Sequence, residues 1–248
     1  MLPLDRLNAM DAEAVAERLR GPPEARAALL REAAEAGVAD AQALYGQLLL
    51  DGAGVAQNPR AAFAWFNRAA AQEHVMALNM VGRCYDLGWG VAIDKVRAAE
   101  CYRVAAARGL EWGMYNYATL LTLGEGVGED KAAALDWFRK AAALGNAKAA
   151  NYIGSFHEDG WVVGRDLESA EIHYRIAAEG GDFRGRFNLA RLLAARGQGE
   201  EALHWLAGVR ETATPAFMEK AERWLRGVDD PVLRGEGVGA LLGEGMKA

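Results

Sequence analysis

The chain has 248 residues and a net charge of −6, from 34 acidic and 28 basic side chains. An acidic balance argues against a general polyanion-binding surface, so nucleic acid is not expected as a partner. Two cysteines are too few for a disulfide framework, and no run of 18 apolar residues is present to span a membrane.

The first residues, MLPLDRLNAMDAEAVAERLR, carry acids early and lack an apolar stretch before a small-residue cleavage site. No secretory leader is expected, and a cytoplasmic location follows. Leu4 to Met10 suggests a short apolar turn or helix, and Asp11 an N-cap for a helix through Leu19 that Gly21 ends. Pro23 to Ala36 predicts a lone second helix, because proline suits the first helical position and Gly37 stops the run.

From Ala39 onward the chain repeats every 36 residues. Units start near Ala39, Val75, Glu111 and Ala147. The small residue of each first helix is Gly46, Gly82, Ala118, Gly154 and, in a fifth pair, Ala190. Loops open at Gly52, Gly88, Gly124 and Gly160, where glycine tolerates the positive φ of a helix exit. Val55, Val91, Val127 and Val163 follow. Asn58, Asp94, Asp130 and Asp166 are placed to cap the second helices. Those helices carry Trp65-Phe66, Cys101-Tyr102, Trp137-Phe138 and His173-Tyr174, then the alanine pairs at 69, 105, 141 and 177. Asn146 and Asp182 are expected to cap first helices. Truncating Trp137 to alanine is expected to cost roughly 3–5 kcal/mol as for a core aromatic.

The fifth pair begins near Phe183 with a shortened loop, Arg196 to Gly199. Thr214-Pro215 opens a last helix to about Arg226, with Phe217, Ala221, Trp224 and Leu225 facing inward. Asp229 to Ala248 is Gly-rich and suggests a mobile tail, although Val232, Leu233, Leu241 and Leu242 could dock. The expected organisation is one stack over 1–228: cap and half repeat (1–36), four repeats (37–181), a degenerate fifth pair (182–210) and a capping helix (211–228). Isolated helices of about 13 residues are marginal in water. Each hairpin must therefore bury its faces on its neighbours, as in a solenoid.

The pattern GxGV–xx–D–xx–A–xx–WF–xx–AA–xx–G resembles the Sel1-like repeat, a relative of the tetratricopeptide repeat. The resemblance covers about Pro23 to Gly181 and continues weakly to about Arg210. It implies an all-α, right-handed α/α superhelical solenoid with helical caps that serves as a scaffold for protein complexes. Family members are often exported, and some staple each repeat with a disulfide, a pattern absent here. Cys84 and Cys101 instead occupy apolar columns and are expected to be buried free thiols.

Opposite the core face of each first helix, in tetratricopeptide-like stacks, lies the concave groove. Along that face this chain places Asn79 and Arg83, then Trp112, Tyr115 and Asn116, then Lys148, Asn151 and Tyr152, then Arg184, Phe187, Asn188 and Arg191. With its remaining positions the face holds four cations and one acid. Asparagine can donate to and accept from a peptide backbone at once. One expectation is a groove for a partner's extended peptide or loop of acidic character. The other is that these residues pack between adjacent first helices, with the asparagines bonding from repeat to repeat. Asp86 and Glu158, at the next position, complicate the charge argument. Trp89 and Trp161, at loop tips, are a second candidate contact, unless each indole folds back on its own loop.

Catalysis is not expected. No HExxH, CxxC or nucleophile motif occurs, and the paired glycines lie between helices rather than after a strand. His157 and His173 replace core or rim residues of other repeats. Some Sel1-like proteins are linked to β-lactam binding or hydrolysis, but no SxxK supports that here. No cofactor, metal or catalytic residue is assigned. The expected function is a non-catalytic interaction scaffold or adaptor. The alternative is a regulatory subunit that binds its own tail or a second copy.

Overall fold

A computed structural model describes residues 12–243. The Leu4–Met10 turn, the Asp11 cap and the end of the tail lie outside the described residues. Within them the chain forms α-helices, one π-helical turn and no strand. No described helix is long and apolar enough to cross a membrane. Packing divides the chain into two compact units, Met1–Glu129 and Asp130–Ala248.

The N-terminal unit holds α1 (Ala12–Arg20), α2 (Pro23–Glu35), α3 (Ala39–Asp51), α4 (Pro59–Ala70), α5 (Val75–Leu87), α6 (Lys95–Ala107) and α7 (Glu111–Leu123). The C-terminal unit holds α8 (Lys131–Ala143), α9 (Ala147–Asp159), α10 (Leu167–Glu179), α11 (Phe183–Ala195), α12 (Gly199–Val209) and α13 (Pro215–Gly227). A π-turn (Leu233–Gly237) and α14 (Val238–Leu242) complete it.

Local chemistry sets the helix ends. Asn58, Asp94, Asp130 and Asp166 each accept from the backbone N–H three residues on, at 2.9–3.1 Å. Asn146 and Asp182 cap α9 and α11 in the same way. α5 has a cap the sequence did not suggest: His74 Nδ1 accepts from Ala77 N–H at 3.0 Å, while His74 Nε2 lies 3.0 Å from Asp40. Exit glycines 52, 88, 124 and 160 are all left-handed, with φ of 68–75°. Asp130→Ala is expected to lower stability by about 1 kcal/mol, since an orphan N–H returns to α8. A denaturant titration measures it.

Each unit is held together by one buried ring per repeat. Phe66, Tyr102, Phe138 and Tyr174 are fully buried. In three repeats the ring lies against first-helix backbone. A Cβ added at Gly46, Gly82 or Gly154 would meet Phe66, Tyr102 or Tyr174 at 2.5–2.8 Å, which is why glycine stands there. The first member of each aromatic pair, including Trp65 and Trp137, is only half-buried. Trp137 is thus not the core aromatic it was expected to be. Successive helical positions differ by 100°, so only one of two adjacent residues can face the partner helix. The Lys140 ammonium sits 4.2 Å from the Trp137 ring centre on the outer side.

Cys84 is fully buried, as expected, whereas Cys101, in the rim column of Trp65 and Trp137, is half-buried. Burial pushes both thiols up to about 11, so neither is a thiolate near neutral pH.

The segment after Asp229 is not a mobile tail as far as Gly243. Asp230 accepts from the N–H groups of Val232 and Leu233 at 2.9 and 3.0 Å and turns the chain back. Leu233, Val238, Ala240 and Leu241 then bury themselves among Leu206, Val209 and Leu225 of α12 and α13. Four apolar groups on so short a stretch bury enough surface to offset the ordering of its glycines. Ala221 and Leu225 face this core as expected; Trp224 does not, being 38% exposed.

Candidate functional site

In the N-terminal unit the first-helix face comes from α5 and α7. Asn79 is buried and accepts from Asn116 Nδ2 at 2.9 Å. Arg83 lies over the Trp89 ring at 4.7 Å. Trp89 is half-buried and packs on the core, so this indole folds back toward its own repeat. Trp112 meets Tyr115 edge to face at 6.1 Å and is partly exposed, as are Leu44 and Met76.

In the C-terminal unit the face comes from α9 and α11. Asn188 Nδ2 donates to the buried Asn151 at 2.9 Å, repeating the link of Asn116 to Asn79. The asparagines therefore bond from repeat to repeat, which was the packing alternative. The link also holds each amide in a fixed orientation. Tyr152 is stacked on Phe138 at 4.6 Å. Arg191 Nη2 bonds Glu158 at 2.6 Å, and the same carboxylate oxygen accepts from Tyr174 OH at 2.7 Å. Arg191 is thus a neutralised structural strut and leaves the set of ligand-seeking cations. Lys148 and Arg184 lie over the Phe183 ring at 5.8 and 4.5 Å. Trp161 stands edge-on to Phe156 at 5.4 Å, with the Lys131 ammonium 5.2 Å from its ring centre. It remains partly exposed, unlike a fully shielded indole.

The unit contains an open cavity of about 520 Å³. One wall is the expected face: Asn151, Tyr152 and Ser155 from α9, with Arg184, Phe187 and Asn188 from α11. The opposite wall is α13 with its N-cap: Thr214, Ala216, Phe217, Lys220, Ala221 and Trp224. Phe187 bridges them, edge to face with Phe217 at 5.6 Å and with Trp224 at 5.4 Å. The α13 wall was missed because that helix matches no repeat column. A signal existed: Phe217, Lys220, Ala221 and Trp224 recur at helical spacing on one side of that helix.

His157 and His173 form a parallel stacked pair, with ring centres 5.7 Å apart. His157 Nδ1 is buried and has no hydrogen-bond partner among the described residues. Burial first, then His157 and Arg139, lowers the pKa of His173 below its usual 6.5. The fold therefore favours neutral His173, and its stability contribution is complete above about pH 6.5. It is lost as pH falls through that value toward the depressed one, because the unfolded chain takes the proton first. The denaturation midpoint is expected to fall between pH 7.5 and 5.5, and to fall less in His173→Phe.

Residues 39–74, 75–110, 113–146 and 147–182 match the Sel1 repeat family profile, so the chain belongs to the Sel1 repeat family. Its all-α solenoid fold class is that of the solved relatives. A Sel1 repeat protein from Oxalobacter formigenes superposes with a TM-score of 0.76 at 23% identity, covering 94% of this chain and 99% of that one. The protein c5321, a protective antigen present in uropathogenic Escherichia coli strains, gives a TM-score of 0.68 at 25% identity. That match covers 98% of this chain, which spans only 54% of c5321. Immunity protein Pa5087 from Pseudomonas aeruginosa gives 0.54 at 19% identity, covering 80% of this chain and 74% of that one. Comparison with curated proteins gave no significant sequence match. Sel1 repeats generally serve as protein–protein interaction scaffolds and are typically non-enzymatic.

Proposed function

We propose that the protein is a non-catalytic interaction module that holds a peptide or loop of a partner protein against its first-helix face. The cavity in the C-terminal unit carries this reading. Its 520 Å³ falls within the roughly 300–1,000 Å³ of ligand clefts. It joins fixed amides, suited to a peptide backbone, with an accessible tryptophan of the kind enriched in binding hot spots. Family membership supports the same class of function.

Site-specific photocrosslinking tests it. A benzoylphenylalanine at Phe187 or Trp224 should crosslink one identifiable protein in cells. The same probe at Ile172, exposed on α10, should not. Equal labelling from all three positions would overturn the reading, and a self-crosslink would replace it with self-association.

A further inference from the structure

We infer that the C-terminal cavity selects an acidic peptide segment with one aromatic or large aliphatic anchor residue. This rests on the proposed interaction function and names the chemistry of its partner. None of the residues lining the cavity is acidic, although the whole chain carries a net charge of −6. Two of the lining residues are cations, Arg184 and Lys220, one from each wall. Both are exposed, and neither has a carboxylate partner among the described residues. Arg191 and Arg186 are committed to Glu158 and Glu211, whereas Lys148 lies over the Phe183 ring, outside the lining. The two cations of the lining can therefore pair with carboxylates from outside.

The apolar share of the lining has a comparable asymmetry. The lining rings Phe187 and Phe217 pack edge to face, and Phe217 also meets Phe183, buried outside the lining, at 4.7 Å, so these rings are largely satisfied within the unit. Among the described residues Trp224 makes ring contact with this cluster through Phe187 alone, and it stays 38% exposed. An exposed indole beside packed rings offers a flat apolar platform, while Arg184, 5.9 Å over Phe217, stands beside the same ring cluster. A large side chain laid on Trp224 would be flanked by Arg184 and Lys220. Carboxylates next to that anchor in sequence would then meet them.

The test uses the full-length protein and unlabelled peptides read by calorimetric titration: Ac-DEFDE-NH₂, its glycine analogue Ac-DEGDE-NH₂, and the charge-reversed Ac-KKFKK-NH₂. Ac-DEFDE-NH₂ should bind saturably and weaken as salt is raised. The glycine analogue should bind at least tenfold more weakly, and the lysine peptide not measurably. Lys220→Glu should raise Kd for Ac-DEFDE-NH₂ tenfold or more, with an unchanged circular dichroism spectrum, and Trp224→Ala should remove the preference for phenylalanine over glycine. Equal binding of all three peptides, none at all, or full affinity in Lys220→Glu would overturn the inference. So would tighter binding of a short single-stranded oligonucleotide. A drop in light-scattering mass on Lys220→Glu would instead give the cavity to a second copy. Photocrosslinking of a partner from Phe187 and Trp224, with no binding of Ac-DEFDE-NH₂, would sink this chemistry while sparing the interaction function.

Discussion

Phe138→Ala should lower unfolding stability by roughly 3–5 kcal/mol, the range for truncating a large core aromatic. The ring is fully buried, stacked on Tyr152 at 4.6 Å and edge-on to Phe156 at 6.0 Å. The structure around such a void relaxes only partially, so the lost contacts are not recovered in full. Trp137→Ala, one residue away and half-buried, should cost clearly less despite the larger side chain. Matching urea titrations of the two variants decide between them. Equal midpoints would show that the column of buried rings has been misplaced. The Phe138 variant has a second expected effect: Tyr152 loses its stacking partner and lines the cavity, so peptide affinity should fall along with stability.

Gly126→Ala should cost roughly 2–4 kcal/mol, from two sources. Gly126 has φ of +69°, a left-handed conformation that costs an L-residue about 1–2 kcal/mol. In addition, its Cβ would overlap the backbone carbonyl of Lys95 at the start of α6. Overpacking of this kind typically costs about 1–3 kcal/mol, and a helix backbone yields less than a side-chain tip. Gly124→Ala isolates the first source. Its φ is nearly the same, +68°, but its Cβ would approach Glu129 no nearer than 3.3 Å, at that residue's Cβ, with the Glu129 backbone at 3.5 Å or beyond. A loss of about 1 kcal/mol is expected there. If the two substitutions prove equally costly, close packing of the loop onto α6 is not what fixes glycine at 126. The fourth repeat departs from this rule. It places Val162 in the register of Gly126, at φ of +54° and with its side chain more than half exposed.

Features set by contacts close in sequence were legible in advance. The four second-helix caps, the left-handed exit glycines and the Asn146 and Asp182 caps each depend on residues two to four apart. The expected face was legible in part. Asn151, Tyr152, Arg184, Phe187 and Asn188 do line one cavity, because a helical register fixes which residues share a side. Arg191 was misassigned because its partner, Glu158, lies 33 residues away and becomes a neighbour only when α9 and α11 pack. Asn79 and Asn151 were placed on an open face, yet both are buried and accept from the asparagine of the next repeat. Of each adjacent aromatic pair, repetition alone could not say which ring turns inward.

The sequence by itself determined the helix–loop–helix unit, its period and its helix ends, because propensity, capping and left-handed glycines act within one repeat. The tertiary structure decided which charges remain open and where a ligand could sit. α13 obeys no repeat register, and its Lys220 and Trp224 become part of a cavity only because the helix folds back opposite α11. Ion pairs and cavities are made by side chains distant in sequence, and whether a cation is spent or available depends on what packing brings beside it.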